Sequence, residues 1–157
     1  MNKLLSMRCT MVSTVVLRDT GAATDVLLLK RASAYLHGEW SYVAGHIKPD
    51  ETAWQTALRE LREETALVPR KLFATSFCEQ FYNAQDDLID VVPAFVAWVH
   101  PAATVQLNRE HSASTWLDLA QARERVPFGS QRQLLTYVEQ EFIERLPSPH
   151  LRIALPA

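Results

Sequence analysis

GHIKPDETAWQTALRELREETAL, residues 45–67, opens on a glycine and ends in a crowd of charge. Five of the six residues from Arg59 to Glu64 are charged, in a chain where charged residues make up 22%. Successive side chains on an α-helix advance by about 100°, so with Glu60 at zero, Glu64 falls near 40° and Glu63 near −60°. The three carboxylates therefore share one face. Trp54, Ala57, Leu58, Leu61 and Thr65 fall between about 60° and 160°, a separate and mostly apolar face. The spacing predicts a helix over 52–66 that buries one side and presents three carboxylates beside it. Pro49 and Asp50 suit its start, the aspartate as a cap for free backbone N–H groups. Pro69 helps to stop it.

Two explanations fit such a face. One is a solvated helix surface, the ordinary fate of mixed Glu and Arg. The other is a metal site. Like charges three and four residues apart repel by a few tenths of a kcal/mol per exposed pair. Here they also lie in the last turns, where the helix dipole disfavours negative charge. Arg59, four residues before Glu63, offsets part of this. A divalent cation would offset more, and hard oxygen donors select Mg²⁺ or Mn²⁺.

Outward from the helix, the pattern is that of a mixed α/β domain with helices packed on a sheet. Residues 9–18, 26–31 and 40–45 read as strands before it, the last ending at Gly45. Residues 71–82 and 88–99 read as a hairpin joined by the polar turn NAQDD, with Pro93 marking an edge or a bulge. Residues 114–119 open a short strand that leads into a short helix. Apolar residues at 134, 135, 138, 142 and 146 form a helical stripe over 130–146. The tail after Pro147 carries no clear pattern.

The 157 residues suit one domain, residues 1–157, with its own core. A net charge of −2 is wrong for a general nucleic-acid binder, so no nucleic-acid polymer is expected as partner. The apolar runs near the N-terminus are too short to span a bilayer and lack signal-peptide anatomy. Cys9 and Cys78 belong to no metal or disulfide motif and read as free, buried thiols of a reducing compartment. A cytoplasmic location without membrane attachment is the resulting expectation.

The charged positions have a further pattern. Gly45, Glu51, Arg59-Glu60-Leu61-Arg62-Glu63-Glu64 and Leu67 stand at the spacing of the Nudix box, and the stretch resembles that motif. The late glycine of the box is replaced by Ala66, and Val43-Ala44-Gly45 stands where the family often has Pro-Gly-Gly. Neither departure removes a carboxylate. The resemblance implies a Nudix-type α/β/α sandwich with a mixed β-sheet. More loosely, residues 108–119 and 127–134 are similar to the bacterial dATP/dihydroneopterin triphosphate pyrophosphohydrolase branch.

The activity implied by this resemblance is Mg²⁺-dependent hydrolysis, with Mn²⁺ as substitute, of a diphosphate linkage in a nucleoside triphosphate or related nucleotide. Water attacks phosphorus while metal neutralises the pyrophosphate. By the same resemblance, metal ligands are sought among Glu60, Glu63, Glu64, the Ala44 carbonyl and the distal Glu110. Glu63 either ligates or orients water; Glu110 is a ligand or base, or else a surface charge. Catalytic candidates implied in this way are Glu63, Glu64, Arg59 and Glu110, with Glu51 and Gly45 shaping the loop. Lys30, Arg31 and His46 are candidates for the substrate. His111 adjoins Glu110 and could serve as a base, but a lone histidine is more often structural or exposed. The implied partner is a small nucleotide, and a homodimer is expected because dimers are common in the family. The alternative is a non-catalytic Nudix-like domain that senses a nucleotide.

Overall fold

Two strands carry apolar side chains on both faces because both faces are covered. In the computed structural model, which describes residues 1–157, these are β2 (Met11–Asp19) and β3 (Thr24–Arg31). Along each, alternate side chains enter opposite cores. Val15, Leu17, Val26 and Leu28 enter one cluster, and Val12, Val16, Leu27 and Leu29 enter the other.

One nine-stranded mixed sheet carries both cores. Its remaining strands are β1 (Ser6–Arg8), β4 (Trp40–Ser41), β5 (Val43–His46), β6 (Lys71–Asn83), β7 (Leu88–Trp98), β8 (His111–Leu117) and β9 (Arg152–Ile153). The main path runs β4-β3-β2-β7-β6-β9, with β1 on β7, β5 on β2 and β8 on β3. β7 lies parallel to β2 and β1, and the other pairings are antiparallel.

Helix α1 (Ala53–Thr65) closes one face through Ala57 and Leu61. Trp54 and Leu58 pack at the margin of that core. Helices α2 (Leu119–Arg125) and α3 (Gly129–Val138) close the other through Leu119, Ala122, Leu134, Leu135 and Val138. The α/β/α sandwich with a mixed sheet is thus the architecture found.

Several boundaries differ from the sequence reading. The α1 cap is Thr52, not Asp50: Thr52 accepts the Gln55 N–H at 3.3 Å and Gln55 answers on the Thr52 N–H at 2.7 Å. Pro49 and Asp50 are spent on the turn before it, closed by the Glu51 N–H on the Lys48 carbonyl. Residues 40–45 split into two strands, β4 pairing with β3 and β5 with β2. Pro93 is on an interior strand, beside the register shift between Ala74 and Cys78, so it marks a bulge and not an edge. Both cysteines are exposed. The stripe over 130–146 is α3 followed by a π-helical turn, Glu139–Ile143. The wider turn breaks the 3.6-residue phase, and Leu146 ends up exposed.

Helix α1 ends on Ala66 in the left-handed region, φ 60°, where its N–H bonds the Arg62 carbonyl at 2.8 Å. An L side chain there costs about 1 kcal/mol that glycine avoids. Ala66→Gly is therefore expected to raise the urea midpoint by about 0.5–1 kcal/mol of stability and to leave kcat/KM unchanged.

Candidate active site

The second half of α1 faces the ends of β3, β5 and β8. Glu64 lies on the buried side of the helix and is 2% exposed. The Ala44 N–H lies close to the carboxyl, and one of its oxygens, Oε2, has no partner. Burial first, then the nearby charges of Glu60 and Glu110, push its pKa up to about 9. A buried carboxyl with a vacant oxygen is expensive unless something positive completes it.

Ala44 is available because of strand register. The Ile47 N–H bonds the Thr10 carbonyl at 2.9 Å. Antiparallel pairs alternate, so Ser13↔Ala44 is a non-hydrogen-bonded pair. Both backbone groups of Ala44 then point away from β2, and its N–H lies close to Glu64.

Gly45 is next along β5. A Cβ built there would stand 2.1 Å from Cδ of Glu60 and 2.3 Å from its Oε1. The glycine is a matter of space, since Glu60 crosses its Cα. Burial raises the Glu60 pKa, with Arg59 opposing.

Arg59 is the hub of the loop. Its guanidinium donates to Glu51 at 2.6 and 2.9 Å, to Glu60 at 2.7 Å, to Glu63 at 3.2 Å and to the His46 carbonyl at 2.8 Å. Glu51 also accepts the Lys48 N–H and the Thr56 hydroxyl, and Arg59 foremost holds its pKa down at about 2. Only a planar fork serves so many acceptors at once. Arg59→Lys is therefore expected to lower stability by about 1–3 kcal/mol in urea unfolding, while Arg62→Lys, on the exposed side, stays within about 0.5.

Glu110 and His111 arrive from far along the chain. The Glu110 carbonyl accepts the Ala32 N–H at 2.8 Å, and His111 pairs with Arg31 across β3 and β8. One ligand-type atom each from Glu64, Glu110 and His111 lies within 4.8 Å of the others. His111 is 8% exposed and its Nδ1 has no partner. Burial first, then Arg31, lowers its pKa to about 4, so the ring is neutral at pH 7.

The structure gathers Glu60, Glu64, Glu110, Ala44 and Arg31. Arg31 is close enough to act on Glu64 and His111, with its fork held by the Tyr35 carbonyl and Ser33 hydroxyl at 2.9 Å. Glu63 stands at the rim, half exposed. His46 is exposed and meets Arg59 through its carbonyl. Lys30 is not brought there: strand alternation turns it to the side of Leu28, under α2 and α3. His111 is the residue that sequence reasoning set aside. Its adjacency to Glu110 was the only signal in the sequence.

A glycine-opened loop, a helix bearing spaced glutamates and a mixed sheet between helices agree with the family model for the NUDIX domain, which matches residues 7–138. The chain belongs to the Nudix hydrolase family. As a Nudix hydrolase it is an enzyme acting on phosphoric anhydride bonds.

Two relatives illustrate the range. The chain is 33% identical over 78% of its length to an octanoyltransferase of Myxococcus xanthus, and spans 34% of that protein. It is 28% identical over 77% of its length to the asymmetrical bis(5'-nucleosyl)-tetraphosphatase of Caenorhabditis elegans, covering 87% of it. The Escherichia coli dihydroneopterin triphosphate pyrophosphohydrolase structure superposes with a TM-score of 0.69 at 23% identity, over 90% of this chain and all of that one (100%). That likeness is one of fold. No helix is long and apolar enough to cross a membrane.

Proposed function

We propose that this Nudix hydrolase is a Mg²⁺-dependent pyrophosphohydrolase cleaving a diphosphate linkage in a nucleoside triphosphate or a related nucleotide, dinucleoside polyphosphates included. The observation that carries the reading is the vacant Oε2 of buried Glu64, beside Glu60 and Glu110. An all-oxygen set of this charge fits Mg²⁺, with Mn²⁺ as substitute. Glu60, Glu64, Glu110 and the Ala44 carbonyl would hold the ion, with Glu63 at the rim as a further ligand or to orient water. When bound, the ion neutralises phosphate oxygens and makes water more acidic.

The rest is the work of the chain. Arg59 and Glu51 hold the loop so that Glu60 keeps its place against Gly45. Arg31, close to the carboxylates, meets a phosphate oxygen once substrate displaces its present carbonyl and hydroxyl partners. His46, at the mouth, lies on the side from which a nucleotide enters, and Lys30 contributes only charge. Glu110 is held by its backbone, which leaves its carboxylate free to serve as ligand or base. The likeness to tetraphosphatases supports dinucleoside tetraphosphate as the first substrate to try. The full set of carboxylates favours hydrolysis over a sensor role. As to organisation, residues 1–157 act as one domain, and light scattering tests the expected homodimer.

The test is turnover of nucleoside triphosphates, dihydroneopterin triphosphate, ADP-ribose and diadenosine tetraphosphate with Mg²⁺, products identified. Cleavage between phosphates of at least one compound supports the proposal. Tight binding of a nucleotide with no cleavage of any would favour the sensor.

A further inference from the structure

His111 has no task in the chemistry just described, yet it is buried against it. Its ring contributes one of three ligand-type atoms lying within 4.8 Å of one another, the other two coming from Glu64 and Glu110. Two of these three residues carry a buried atom with no hydrogen-bond partner, Glu64 Oε2 and His111 Nδ1. An unpartnered polar atom on each of two neighbouring buried residues costs desolvation with nothing returned. The one cation at hand, Arg31, is engaged by Tyr35 and Ser33 and forms no ion pair with Glu64.

We infer that His111 is a metal ligand, and that Glu64, Glu110 and His111 form a mixed oxygen–nitrogen site that binds first-row transition-metal ions, with Mn²⁺ as the spectroscopic probe, more tightly than Mg²⁺. Mg²⁺ takes oxygen donors and keeps its waters, whereas imidazole suits the later first-row ions. The inference rests on the carboxylate site proposed above and refines it. An all-oxygen shell would leave the ion choice to Mg²⁺ abundance. A nitrogen donor makes first-row transition ions, Mn²⁺ included, bind the metal-free protein more tightly than Mg²⁺. The backbone prepares this: pairing with Arg31 across the sheet and the Ala32 N–H on the Glu110 carbonyl fix the two neighbouring residues at the start of β8.

The experiment is pulsed electron paramagnetic resonance on the full chain loaded with Mn²⁺. Wild type is compared with protein carrying ¹⁵N-labelled histidine and with His111→Gln. Affinities for Mn²⁺ and Mg²⁺ are measured beside it, with Glu64→Gln as the control for site occupancy. The expected result is a nitrogen modulation in wild type that changes on ¹⁵N labelling and vanishes in His111→Gln. Mn²⁺ affinity should fall about tenfold or more in that variant and Mg²⁺ affinity by less than about threefold. The labelling comparison needs no variant, so a misfolded His111→Gln leaves the test intact. Mn²⁺ bound in wild type without nitrogen modulation, and lost in Glu64→Gln, overturns the histidine inference and leaves the carboxylate site standing. Mn²⁺ binding that is absent, or unaffected by Glu64→Gln, overturns both.

Discussion

Glu64→Gln is expected to raise the melting temperature of the metal-free protein and to abolish the further rise that Mg²⁺ gives the wild type. In the folded metal-free state Glu64 keeps its proton up to about pH 9, against an ordinary value of 4.5. Between those limits the folded protein binds one proton more than the unfolded chain. Stability then falls as pH rises, by at most about 1.4 kcal/mol per pH unit. Glutamine has the same shape, keeps an acceptor for the Ala44 N–H and has no such proton to lose. At pH 7.5 the variant should gain about 2–4 kcal/mol, roughly 5–15 °C in Tm. With Mg²⁺ at a hundred times its Kd the wild type should recover about 2.7 kcal/mol. The variant, lacking the charge, should recover almost none. Thermal unfolding from pH 5 to 9, with and without Mg²⁺, measures all four quantities. A variant less stable than wild type without metal, or equally stabilised by it, would show that Glu64 is a structural carboxyl.

Gly45→Ala carries the second large effect. The new methyl would fall 2.1–2.4 Å from three atoms of the Glu60 side chain. Either β5 shifts or Glu60 leaves its place and its contact with Arg59. Overpacking of this kind costs about 1–3 kcal/mol. A displacement of about an ångström in a reacting constellation costs activity by about a hundredfold. A double-mutant cycle separates the two sites. In a Glu60→Ala background the stability cost of Gly45→Ala should fall below about 0.5 kcal/mol, because the clashing side chain is gone. An undiminished cost in that background would place the strain in the backbone of β5 instead.

How far the sequence reached depended on the range of the contact. The carboxylate face of α1 and its apolar face are local, and spacing alone foretells them, whereas the brace from Arg59 to Glu51 came only with the family resemblance. The central placement of β3 is equally plain in its apolar run from Val26 to Leu29. The cap of α1 was harder, because Asp50 and Thr52 are both cap formers and the turn at Lys48–Glu51 decides between them. Strand β9 and the π-helical turn leave no mark in composition. The union of Glu110 and His111 with Glu64 depends on the register of β8 against β3 and on its shift at Lys30/Arg31. No periodicity encodes that. The same register separates Arg31, beside the carboxylates, from its neighbour Lys30, although in sequence the two look alike.

The proposed role of the buried carboxylates of α1 is to hold the ion that drives phosphoanhydride cleavage. Its most direct test is turnover of diadenosine tetraphosphate, or of whichever substrate proves best, as Mg²⁺ is titrated from zero into wild type and Glu64→Gln, in ¹⁸O-labelled water. The expected result is no wild-type turnover without metal and saturation as Mg²⁺ rises. One product should carry ¹⁸O in a phosphate, and the variant should lose at least about a thousandfold in rate. Turnover that is independent of divalent ions, or that survives Glu64→Gln undiminished, would contradict that role.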